Sequence, residues 1–137
     1  MRSIKFISLL FLGIAWTHSN KTIMQTSHLD GTWKPVQQEL GGKAIPAAAF
    51  EKQRLILKDS TYQFSAESVD KGVVKYNGDK MDIYGREGVN TGKHFTAIYK
   101  YENNRLSICY NLKGDSYPEA FDTKGHPLFF LCVFEKE

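Results

Sequence analysis

"VVKYNGDKMDIYG", residues 73–85, decides the fold. Two short runs rich in β-branched and aromatic side chains flank Asn77-Gly78, the dipeptide that most strongly signals a two-residue β-hairpin. Both turn residues of that hairpin are expected at positive φ. Outward from this hairpin the pattern continues in both directions. "RLILK" (54–58) ends at Asp59-Ser60, and "TYQFSAES" (61–68) ends at the turn signal "VDKG" (69–72). "REGVNTG" (86–92) leads to "KHFTAIYKYE" (93–102), which Asn103-Asn104 turns into "RLSICYNL" (105–112). A long loop, "KGDSYPEAFDTKGHP" (113–127), reaches the final run "LFFLCVFEK" (128–136). At the other end "GTWKPVQQEL" (31–40) is followed by the turn "GGK" and by "AIPAAAFEKQ", room for one short helical turn. Eight strands separated by turn signals every eight to twelve residues indicate an all-β barrel or sandwich.

Side chains alternate faces along a strand. Tyr62, Phe64 and Ala66 oppose Gln63, Ser65 and Glu67. Phe95, Ala97, Tyr99 and Tyr101 oppose His94, Thr96, Ile98 and Lys100, and Leu106, Ile108, Tyr110 and Leu112 oppose Arg105, Ser107, Cys109 and Asn111. One apolar and one mostly polar face fit strands lining a closed interior, an eight-stranded antiparallel up-and-down barrel. The run 128–134 is apolar on both faces. It is therefore expected to be covered outside as well, by the helical turn or by a partner.

Residues 1–19 read as a secretory signal peptide: "MRSIK" carries two positive charges, "FISLLFLGIAW" is apolar, and small residues follow at Thr17 and Ser19. The apolar run is too short to span a bilayer. Residues 20–28 are a polar linker, and 29–137 form the domain. The expected product is secreted or periplasmic, with no membrane span in its mature form. Removing Arg2 and Lys5 leaves sixteen basic residues against fifteen acidic ones, a net charge of +1. No Lys/Arg run remains to follow a phosphate backbone, so nucleic acid is not an expected partner. Cys109 and Cys132 leave two readings open: a disulfide, favoured by an oxidising compartment, or two buried free thiols.

Catalytic patterns are lacking. "GREGVNTGKH" (85–94) fails the phosphate-loop spacing, because six residues separate Gly85 from Gly92 and His94 follows Lys93. His28, His94 and His126 have no second histidine or cysteine at metal-ligand spacing. There is no G-x-S-x-G motif. The chain is expected to be no enzyme and to need no cofactor and no metal. The candidate ligand-binding residues are the large side chains on inward faces: Tyr62, Phe64, Tyr76, Met81, Phe95, Tyr99, Tyr101 and Tyr110. They either wall a pocket for one small apolar ligand or simply fill the barrel.

"GTW" at 31–33, opening the first of eight strands, resembles the G-x-W signature of lipocalins and the wider calycin group. The resemblance implies that Trp33 plugs the closed end, that Gly31 eases the chain's approach to it, and that Lys136 of the last strand lies over the indole. Pro35 suits a bulge or edge position just beyond. The ordered set "LDGTWKPVQQELGGKAIP", "NTGKHFTAIYKYENNRLSICYNLKGDSYPEAF" and the last apolar strand is similar to a lipocalin-like domain family of small secreted bacterial proteins. It spans most of residues 29–137. Tyr117 stands before Pro118 where that pattern has a basic residue, and Cys132 is a second cysteine. The family brings a fold and a compartment but no reaction. Fatty-acid-binding proteins also open on a GTW-like strand but add a two-helix lid, for which "PAAAFEK" is too short. The expected role is an exported lipocalin-like barrel, monomer or weak dimer, that binds a small apolar or amphipathic ligand. The alternative is a protein-interaction module, an inhibitor or envelope subunit with a filled barrel, using the last strand and the loop that holds Tyr117, Pro118 and Phe121.

Overall fold

A computed structural model describes residues 29–137. The signal peptide and linker expected over 1–28 lie outside the described residues. Within them, nine strands and one helical turn follow in order: β1 (Gly31–Leu40), β2 (Lys43–Ile45), α1 (Ala47–Phe50), β3 (Arg54–Lys58), β4 (Thr61–Ser65), β5 (Val69–Asn77), β6 (Lys80–Glu87), β7 (His94–Glu102), β8 (Arg105–Asn111) and β9 (Phe129–Lys136). Each of β3 to β9 pairs antiparallel with the next, and β1 pairs with both β3 and β9. These eight strands close a barrel, which removes the exposed edges an open sheet would present. The ninth strand, β2, is a three-residue addition along the end of β1, with Gln38 opposite Ile45.

The β1–β9 seam carries the register shift. Trp33 faces Lys136 and Pro35 faces Phe134, then a bulge intervenes before Gln37 meets Val133. Proline has no N–H to give the ladder, so the break falls where the hydrogen bond is already missing.

Two turns differ in detail from the sequence reading. The 77–80 hairpin pivots on Gly78-Asp79, with Asn77 paired to Lys80 and only Gly78 at positive φ, the II′ pattern. Both central residues do take positive φ at Asn103-Asn104 (54° and 61°). A larger difference lies at 66–72. β4 ends at Ser65 and β5 begins at Val69, so "VDKG" is strand, not turn. Gly72 sits there because the β6 backbone and the Tyr62 ring both crowd it: a Cβ would collide with the Tyr84 carbonyl oxygen and stand 2.7 Å from Tyr62 Cε1.

The chain runs one way along β1, β4, β6 and β8 and back along β3, β5, β7 and β9, so the barrel has two distinct ends. Trp33, fully buried, closes one, with Leu29, Leu106 and Phe134 around it. The connections 41–53, 66–68, 88–93 and 112–128 surround the other. The outer face of β7–β9 holds a second cluster, Ile98, Cys109 and Leu131, covered by Tyr117, Phe121 and Phe129. The chain's own long loop, rather than α1, covers this face of the last strand. Its pins are polar. Tyr117 Oη donates to Asp82 Oδ2 at 2.5 Å, Thr96 Oγ1 donates to Ser116 O at 2.5 Å, and Asn111 Nδ2 donates to Asp115 Oδ1 and Ser116 O, each at 2.9 Å. Buried Thr123 donates to Glu39 and accepts from the Gly42 N–H at 2.8 Å.

Candidate functional site

Period-two alternation aims one face of every strand into the barrel, and what fills that interior differs between the two ends. Near the closed end the packing is solid. Trp33 Nε1 donates to Leu29 O at 2.8 Å, the Lys136 ammonium stands 5.6 Å from the ring centroid, and Tyr101 meets the indole edge-on at 5.8 Å. Tyr76 and Tyr99 form an edge-to-face pair at 5.6 Å, and Tyr99 Oη donates to Gly78 O at 2.9 Å. Burial, with Tyr99 and then Asp30 adding to it, pushes the Tyr76 hydroxyl up to about 12. Burial, with Asp79 adding to it, raises Tyr99 as well.

The half nearer the loops is hollow. A cavity of about 150 Å³ opens there. Five of the eight sequence-predicted residues line it: Tyr62, Phe64, Met81, Phe95 and Tyr110. Tyr76, Tyr99 and Tyr101 belong to the packed end instead, and Tyr101 is partly exposed there. The remaining walls are Leu55, Leu57, Val74, Ile83 and Ile108, with Leu112 and Phe130 at the mouth. The leucines of "RLILK" follow the same alternation that picked out the aromatics. Ring size alone does not mark them, whereas facing direction does.

Two polar residues complete the mouth, Asp70 and Asn90. Neither was singled out from the sequence. Asp70 lies in "VDKG", and once that stretch is strand, Asp70 pairs with Phe64 and points inward with Gly72 and Val74. It accepts from Asn90 N at 3.2 Å and from Asn90 Nδ2 at 3.3 Å.

The tyrosine hydroxyls in the cavity are proton-retaining. Burial raises Tyr62, with Asp70 beside it adding to the effect. Burial raises Tyr110 well above the usual phenol range, with Cys132, Tyr76 and Tyr62 adding to it. Among the described residues neither Oη has a hydrogen-bond partner, so each is a donor facing the lumen. Tyr110 stacks on Phe130 at 5.8 Å.

The disulfide left open by the sequence does not form. Both cysteines are free and buried. In the β8–β9 register Cys132 is opposite Ile108 and Cys109 is opposite Leu131. Cys132 therefore faces the interior and Cys109 the outer cluster, and side chains on opposite faces of a sheet cannot be bridged. Cys132 Sγ takes a 3.5 Å contact from Gln38 Nε2, while burial holds its thiol up at about 12 and that of Cys109 at about 11.

Outside the barrel His94 Nε2 contacts Asp82 Oδ1 at 2.6 Å and stacks on Tyr84 at 4.5 Å. With Tyr117 on the other oxygen of Asp82, this group fastens the long loop to β6 and β7. Among the described residues no three of His, Cys, Asp and Glu gather in a metal-binding arrangement, and no helix is long and apolar enough to cross a membrane.

Compared with models of known protein families and with curated proteins, the chain matches none.

Proposed function

We propose that this chain is an exported, non-enzymatic member of the lipocalin-like group whose barrel takes one small apolar or amphipathic ligand, acting outside the cytoplasm in the secreted or periplasmic space. The observation that carries this reading is the apolar cavity of about 150 Å³ between the packed floor and the loops. Its volume limits the occupant. Pockets for drug-sized molecules start near roughly 300 Å³, whereas an apolar cavity of about 150 Å³ holds a molecule the size of benzene. A single ring or a short branched chain fits within it.

The test is equilibrium binding of benzyl alcohol and indole by calorimetry and by side-chain chemical shifts, on the wild type and on Ile108→Phe. The larger side chain fills the cavity. Saturable one-to-one binding in the wild type, lost in a folded Ile108→Phe protein, supports the reading. Absence of saturable binding by both probes and by their charged analogue benzylamine overturns it.

The protein-interaction alternative keeps one observation. Leu40, Val69, Val89, Leu112 and Leu128 are exposed large apolar residues, and all sit around the mouth. A weak dimer or a partner protein would use that rim, since the outer face of β9 is already occupied. Sedimentation that shifts with concentration in the wild type but not in Val89→Asp/Leu128→Asp supports it.

A further inference from the structure

Asp70 is only 6% exposed, yet it stands in an apolar cavity with no cationic side chain within ion-pair distance among the described residues. Its whole compensation is two long hydrogen bonds from Asn90. A carboxylate removed from water needs opposite charge or several good donors, and a buried charge left without them is costly. The site is shaped to keep it there. Gly88, at φ +92°, leaves the space its Oδ1 occupies, and a Cβ at 88 would collide with that oxygen.

Aromatic rings stand close to Asp70 in the same cavity. Phe64 is opposite Asp70 across the β4–β5 pair, Phe95 and Phe130 stand on the far walls, and the Tyr110 ring stacks on Phe130. Ring faces attract cations as the carboxylate does. Below them the walls are aliphatic, with Val74, Ile83 and Ile108. A negative, aromatic mouth above an apolar chamber has a polarity that a ligand can match end to end.

We infer that the ligand is a small protonated amine carrying one ring or a short branched hydrocarbon group, its ammonium against Asp70 at the mouth and its apolar part in the chamber. This rests on the reading of the cavity as a ligand site and sharpens it to a chemical class. The ammonium supplies the counter-charge that the protein does not, so binding relieves a penalty as well as gaining contact. A carboxylate ligand of the same shape meets repulsion, and a neutral one gains the apolar term alone. Asp70 also ties the 88–93 loop through Asn90, and the two roles are separable by mutation.

The experiment compares benzylamine, benzyl alcohol and benzoate, three probes of one shape and three charges, by calorimetry at neutral pH. The wild type is expected to bind benzylamine roughly ten- to a hundredfold more tightly than benzyl alcohol, the size of one hydrogen bond to a charged group, and benzoate most weakly. Asp70→Asn keeps an acceptor for the Asn90 N–H, and its benzylamine-to-benzyl alcohol ratio is expected to fall to about one. Asn90→Ala removes the Nδ2 bond but keeps the backbone N–H on Asp70, so the carboxylate is left with less compensation and the preference for benzylamine is expected to be at least that of the wild type. Equal binding of benzylamine and benzyl alcohol by the wild type overturns this inference while leaving the cavity reading intact. Failure of all three probes overturns both. Should Asp70→Asn not fold, the ranking of the three probes on the wild type and on Asn90→Ala still decides the matter.

Discussion

The Lys136 side chain crosses directly over Gly31 to set its ammonium 5.6 Å from the Trp33 ring centroid. A Cβ at position 31 would stand 2.6 Å from Lys136 Cε, and Gly31 itself sits at φ +141°, where L side chains are strained. The glycine two residues before the tryptophan is thus the groove through which a cation reaches the plug.

Gly31→Ala is expected to destabilise the domain by about 1–3 kcal/mol through strain and steric displacement together. In a Lys136→Ala background the loss should be smaller, because the collision is gone and only the backbone strain remains. Urea denaturation of the four proteins of that cycle measures the difference. Equal losses in both backgrounds would show that the lysine stem is not what the glycine accommodates.

Trp33→Ala should cost about 3–5 kcal/mol, in the range of large aromatic truncations in cores. Trp33→Phe should retain much of that while losing the hydrogen bond to Leu29 O. In a chain that begins after residue 19, Trp33 is the single tryptophan, so its emission should shift to the red in step with unfolding. A red-shifted emission in the native protein would contradict the burial of the indole.

Neither thiol should react with a thiol reagent in the native protein, and two should react once it is unfolded without reductant. Cys132 at about 12 and Cys109 at about 11 are essentially all protonated near neutral pH, and both are buried. Fewer than two thiols in the unfolded, unreduced protein would reveal a bridge.

Stability should fall in alkali. Cys109, Cys132 and Tyr76 hold their protons up to about 11, 12 and 12 in the folded state, against 9.0 for an ordinary thiol and 10.0 for an ordinary phenol, and burial raises Tyr110 well above the ordinary phenol as well. The unfolded chain releases these protons first. The stabilisation is therefore complete below about pH 9 and is lost as pH climbs through 9 towards 12. Urea midpoints at several pH values from neutral upward measure the slope. A midpoint that holds steady through that window would mean these groups are reached by water.

Tyr117→Phe removes the 2.5 Å bond to Asp82, which is also what raises the Tyr117 hydroxyl. A loss of about 1 kcal/mol is expected. Amide exchange should quicken over residues 112–128 and remain slow in β3 to β6. Uniform acceleration across the barrel would show that the loop is not a separate layer.

The strands and their facing were legible because alternation and turn residues act locally. "VVKYNGDKMDIYG" and "KHFTAIYKYENNRLSICYNL" settle their own hairpins whatever surrounds them. The cavity was not legible, because its volume depends on how rings from non-neighbouring strands meet across the lumen. Tyr76, Tyr99 and Tyr101 have the same facing as Phe95 and Tyr110, yet pack against one another and Trp33 instead of lining the space. Asp70 was hidden for a different reason. "VDKG" has the composition of a turn, and what makes it a strand is its pairing with β4 on one side and β6 on the other. The disulfide fell to parity: both cysteines are on neighbouring strands, but one residue of offset in register puts them on opposite faces.

The pairing of β1 with β9 has a consequence for how the molecule comes into being. The first strand finds its second long neighbour only in the last, about a hundred residues later in the chain. Until β9 has been made and delivered, β1 and β8 each present an unsatisfied row of backbone groups, and the indole lacks its lysine. Synthesis thus yields an adhesive, unfinished ribbon until its final turn, and that ribbon needs a chaperone's shelter or quick release. A chain cut short before Phe129 is accordingly expected to accumulate as aggregate rather than as a smaller, looser version of the same object.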